Sequence, residues 1–119
     1  MTEEEAKDFG RCLLIEFLEH RISTFELNDW HLTLRAFFQH LRPLQGCYYK
    51  ASDQVIMKTD LDYFESLRTL YHEIGHRLNG NDEDRARLYA SKRLQEWLAM
   101  SDREKSKKIA EGVLRSAPP

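Results

Sequence analysis

The chain has 119 residues, a length that suits one domain over 1–119 with a single modest core. Hydrophobic residues make up 41% and charged residues 32%, which excludes a disordered chain, and the formal net charge of -2 offers no electrostatic footprint for nucleic acid or an anionic membrane. No apolar run approaches the roughly 18 residues that a membrane span needs, and the acidic opening MTEEEAKDFG lacks the basic region of a signal peptide, so the expected compartment is the cytoplasm.

The first helix is predicted from just after Thr2 to about Arg21. Thr2 and Glu5 have capping-box spacing, and Leu13, Leu14, Phe17 and Leu18 supply an apolar face. A second helix is expected after Asn28, a good N-cap residue, and before Pro43, which disfavours helix in the residue ahead of it. Its apolar surface would come from Trp30, Leu32, Leu34, Phe37, Phe38 and Leu41. After Gly46 the pattern changes. In CYYKASDQVIMK, Tyr48, Tyr49, Val55, Ile56 and Met57 favour a pleated surface, and Ala51 to Asp53 suit a turn, so a small hairpin is expected. A lone hairpin is marginal and needs a helix packed on it.

A third helix should run from about Asp60 to Asn79, capped by Thr59 or Asp60. Leu61, Phe64, Leu67, Leu70, Tyr71, Ile74 and Leu78 recur at three- and four-residue spacing, and Gly80 is a natural stop. A fourth helix follows from about Asp82 to Met100, with an acidic first turn that suits the helix dipole. Ser101 and Glu104 open a short fifth helix to about Ser116, on which KSKK reads as a solvated face and after which APP is a frayed tail. Cys12 and Cys47 are far apart and form no CxxC; both are expected to be small buried thiols.

The chemistry lies in the third helix, where residues 72 to 76 spell HEIGH. Residues four apart share a helix face, so His72 and His76 can bind one zinc ion, and Glu73 beside them can act as general base on a water. With 5 histidines in the chain, composition alone gives about a 2% chance of such a string, and the amphipathic helix around it lowers those odds further.

A catalytic zinc takes three protein ligands, and three readings of the third compete. Counting along HEIGHRLNGND places Asp82 where one zincin subclass has its ligand, although Asn79 stands where that pattern needs glycine. Alternatively, the stripe Ala86, Ala90, Leu94 and Trp97, with Tyr89 alongside, extends backward to Glu83, an inward acid at a helix start. Asp84 and Arg85 point to solvent. The third reading is a histidine from elsewhere, His20, His31 or His40; these, with Tyr48, Tyr49 and Tyr71, are also candidates for supporting roles. Glu83 is favoured, because the apolar stripe turns it inward.

The order GCYYKASDQVIMK, HEIGH, EDRARLYA resembles the short zincin metallopeptidases of the gluzincin type, particularly the ImmA/IrrE-like domains. Glu83-x-x-Ala86, followed by Tyr89 and Ala90, matches the second signature of that family. The resemblance implies an α+β, mostly helical fold: a minimal zincin-like domain with a small antiparallel sheet or hairpin packed on the HExxH helix. It implies His72, His76 and Glu83 as zinc ligands and Glu73 as general base. The expected activity is a zinc-dependent endopeptidase acting on a protein substrate, with a transcriptional regulator as the kind of substrate the family suggests. The competing expectation is a non-catalytic zinc-stabilised module that binds a protein partner, because a small domain gains much stability from metal.

Overall fold

The computed structural model describes residues 1–20, 46–51, 53–57 and 61–116. The helix expected between Asn28 and Pro43, with His31 and His40, lies outside them, as do Thr59, Asp60 and the terminal APP. The described chain is mostly helical. It runs through α1 (Glu3–His20), β1 (Gly46–Tyr49), β2 (Gln54–Met57), α2 (Tyr63–Asn79), α3 (Glu83–Ala99) and α4 (Asp102–Ser116).

Local chemistry sets the helix ends. The Glu5 amide donates to Thr2 Oγ1 at 3.2 Å and the Thr2 amide to Glu5 Oε2 at 3.3 Å, which completes the capping box of α1. Ser101 caps α4 in the same way, through the Glu104 amide at 3.2 Å. Helix α2 starts later than expected, because Asp62 is its cap: the Asp62 side chain accepts from the Glu65 amide at 2.9 Å. Gly80 ends it at φ 70°, a left-handed value that favours glycine, and its amide bonds back to the His76 carbonyl.

The strands pair antiparallel, with Cys47 opposite Ile56 and Tyr48 opposite Val55. At the turn, Asp53 takes φ 50° and accepts from Tyr48 Oη at 2.5 Å and from Arg77 Nε at 2.7 Å. Arg77 belongs to α2, so this ion pair ties the hairpin turn to the C-terminal end of the HExxH helix. Val55 and Met57 are buried in one cluster with Leu67, Leu70, Tyr71 and Ile74 of α2, Cys12 and Ile15 of α1, and Ala90 and Trp97 of α3.

Periodicity misplaced several side chains. Phe64 and Leu78, expected on the apolar stripe of α2, are 54% and 46% exposed, and Leu14 of α1 is 42% exposed. Leu13 is buried as expected, and it shares the buried face of α1 with Phe9, Cys12, Ile15 and Glu16. The largest correction is Lys105, which belongs to no solvated face. It is buried, pairs with Asp8 Oδ1 at 2.6 Å and lies 4.4 Å from the centroid of the Trp97 ring. Asp8 also accepts from Trp97 Nε1 at 3.0 Å and from the Tyr63 hydroxyl, so one carboxylate joins all four helices. Burial alone would push the Asp8 carboxyl up, but these donors outweigh it and hold it below the ordinary value.

A second buried pair links α1 to α3. Glu16, 1% exposed, accepts from Arg93 Nε at 2.6 Å, and the Arg93 guanidinium lies 5.7 Å from the Tyr71 ring centroid. Cys12 and Cys47 are free thiols as expected; Cys12 is fully buried against the Tyr71 hydroxyl at 2.9 Å, while Cys47 is half-buried.

Candidate metal centre

The site is built where α3 folds back across α2. His72 and His76 sit one turn apart on α2, with ring centroids 4.8 Å apart and nearly perpendicular planes. Their Nε2 atoms are 3.2 Å from each other. The chain then turns at Gly80 and re-enters helix at Glu83, whose carboxylate reaches both rings: Oε2 is 3.1 Å from His72 Nε2 and Oε1 is 2.8 Å from His76 Nε2. Among the described residues these three side chains form a group able to hold a cation.

The donor chemistry fits a metal. His76 Nδ1 lies 2.8 Å from the Gly80 carbonyl, an acceptor only, so Nδ1 carries a proton and Nε2 is the nitrogen turned toward the other donors. That nitrogen faces a carboxylate oxygen at 2.8 Å, a contact that a bound cation or a proton on Nε2 satisfies. Burial, and His76 beside it, hold the His72 imidazole below its ordinary pKa despite the opposing pull of Glu83, which favours the neutral, ligating form. The geometry agrees as well. Zinc ligands at 2.0–2.1 Å in a tetrahedron stand about 3.3 Å apart, close to the 3.2, 3.1 and 2.8 Å found between these donor atoms.

Glu73 is different in kind. It is 5% exposed, and burial raises its carboxyl to about 7, with His76 pulling it down and Glu83 pushing it up. A carboxylate near neutrality is matched to proton transfer at neutral pH. Glu73 also raises the half-buried Cys47 thiol, after burial itself, to about 11, which brings β1 near the site.

The other candidates resolve as follows. Asp82 is the N-cap of α3: its Oδ1 accepts from the Arg85 amide at 3.1 Å and it does not join the donor group. His20 lies elsewhere, 3.0 Å from Glu16 and 3.2 Å from the Tyr89 hydroxyl. Glu16, Glu19 and His20 cluster too, but Glu16 and Glu19 are already paired with Arg93. Tyr71 is buried on Cys12, and Tyr48 is held by Asp53.

Three contributors escaped the sequence reading. The Gly80 carbonyl orients His76, which needed the turn geometry and not merely a helix stop. Arg77, next to His76, anchors the hairpin. Gly75 lies where α3 crosses, and its signal was a glycine inside the motif facing the small residue Ala86.

No protein family, characterised protein or solved structure matches this chain.

Proposed function

We propose that the chain is a zinc-dependent endopeptidase with a minimal zincin-like domain of the gluzincin type, acting in the cytoplasm on a protein substrate such as a transcriptional regulator. The observation that supports this reading is the convergence of His76 Nε2, His72 Nε2 and the Glu83 carboxylate, with His76 Nε2 and Glu83 Oε1 2.8 Å apart and the buried Glu73 next to His72 in the chain.

His72, His76 and Glu83 would hold the ion. Zinc bound there supplies a Lewis acid that acidifies water and polarises a scissile carbonyl. Glu73 takes the proton from the attacking water onto its carboxylate and returns it to the leaving amine. The His76 imidazole is kept in its ligating tautomer by the Gly80 carbonyl. The Arg77–Asp53 pair holds the hairpin beside α2, so that β1 borders the reacting atoms.

Among the described residues three side chains converge, the number of protein ligands that catalytic zinc sites use. The Glu83 side chain is 56% exposed, which leaves the donor group open to an incoming substrate. The test is cleavage of an unfolded protein or a mixed peptide library by the zinc-loaded chain, read by mass spectrometry. Glu73→Gln should keep zinc and lose activity by about 10²–10⁴-fold. A variant that cleaves as well as the parent would sink the mechanism.

A further inference from the structure

Gly75 stands between the two histidines on the side of α2 that meets α3. A Cβ placed on it would lie 2.9 Å from Ala86 Cα, 3.0 Å from the Ala86 carbonyl oxygen and 3.3 Å from Ala86 Cβ. The first two are backbone atoms, so no side-chain rotation relieves the overlap; the helix itself must move. Ala86 is fully buried at this crossing. Glu83 lies one turn earlier on the same helix, and its two oxygens stand 3.1 and 2.8 Å from the imidazole nitrogens.

We propose that Gly75 is a positioning residue for the metal site: its missing Cβ sets the α2–α3 crossing at the distance from which Glu83 completes the donor set of His72 and His76. This rests on the zinc reading above. Restoring ordinary contact between a Cβ and the Ala86 backbone, from 2.9 to 3.4 Å, shifts α3 by at least about 0.5 Å. Metal–ligand distances tolerate about 0.2 Å. Glu83 must turn its side-chain torsions to follow. His72 and His76 stay in place on α2, so the loss falls on the third ligand alone.

The experiment is a double-mutant cycle on zinc affinity, measured by chelator competition for the parent chain, Gly75→Ala, Glu83→Ala and the double variant. Gly75→Ala should bind zinc about 10–100-fold more weakly, the range that loss of an outer support produces. In the Glu83→Ala background the same change should cost less than about twofold, because the ligand it positions is already gone. The visible spectrum of the cobalt(II)-loaded Gly75→Ala protein should move toward that of Glu83→Ala. Circular dichroism in chelator reports the fold separately, and Gly10→Ala, at a helical glycine with nothing within 4 Å, controls for alanine in a helix. Should Gly75→Ala not fold, Ala86→Ser thickens the same crossing by one atom and takes its place in the cycle. Affinity within about twofold of the parent, or equal losses in both backgrounds, would overturn the positioning role. A parent chain that binds no zinc would instead overturn the metal-site reading on which it stands.

Discussion

Zinc in large excess over its dissociation constant should raise the midpoint of thermal unfolding by about 16 °C, the binding stabilisation divided by the unfolding entropy. Two of the proposed ligands lie on α2 and one on α3, and the folded crossing brings their ligand atoms within 4.8 Å of one another. Metal binding therefore selects the folded state. At a free zinc concentration 1,000 times the dissociation constant the gain is about 4.1 kcal/mol. Unfolding entropy of about 2.1 cal/mol/K per residue gives about 250 cal/mol/K for 119 residues, and the ratio of the two is about 16 °C. Any zinc bound by the unfolded chain reduces the shift. The assay is scanning calorimetry in buffered zinc and in EDTA, beside His76→Ala, which should show no shift. A shift below about 3 °C with zinc bound, or an equal shift in His76→Ala, would refute the argument that the site forms across the helix crossing.

Arg93→Met should destabilise the fold by about 3–5 kcal/mol in urea denaturation, because it strands Glu16 as a buried charge. Adding Glu16→Leu should recover most of that loss; a double variant as unstable as the single one would contradict this account of the pair. Asp8 is held below its ordinary pKa, so its stabilisation is full above the unfolded value near 3.8 and is lost as pH falls through the folded one. The stability gap between the parent and Asp8→Asn should therefore be widest at neutral pH and shrink below about pH 3.8, and a gap that persists in acid would argue against the hub. Gly10→Ala, with no neighbour to meet, should stabilise α1 by up to about 1 kcal/mol.

Local signals proved readable at the helix ends. Thr2 with Glu5 and Ser101 with Glu104 form their capping pairs, and Gly80 stops α2 at positive φ. These depend on residues within a few positions of one another, which is all that a sequence displays directly. Glu83 was also found this way, since extending the Ala86–Ala90 stripe by one turn is a statement about a single helix. Burial was less legible. Phe64 and Leu78 fit the apolar period of α2 yet stand exposed, because the width of a buried stripe depends on how many neighbours cover it. Lys105 looked like part of a solvated run, and only the distant partners Asp8 and Trp97 draw it inside.

The sequence by itself determined the order of the described helices, the caps at Thr2 and Ser101, the hairpin and the pairing of two histidines with a glutamate on one helix. All of these follow from spacing along the chain and from the chemistry of the single residue. Tertiary structure set Glu83 and Asp82 apart: Asp82 caps α3, whereas the Glu83 carboxylate lies against both imidazoles. It also assigned Gly75 to the crossing and Gly80 to the orientation of His76. The physical reason is that a metal site requires donor atoms placed to a few tenths of an ångström. Periodicity brings a residue to the correct face of its helix, whereas the distance between helices depends on the atoms that touch where they cross.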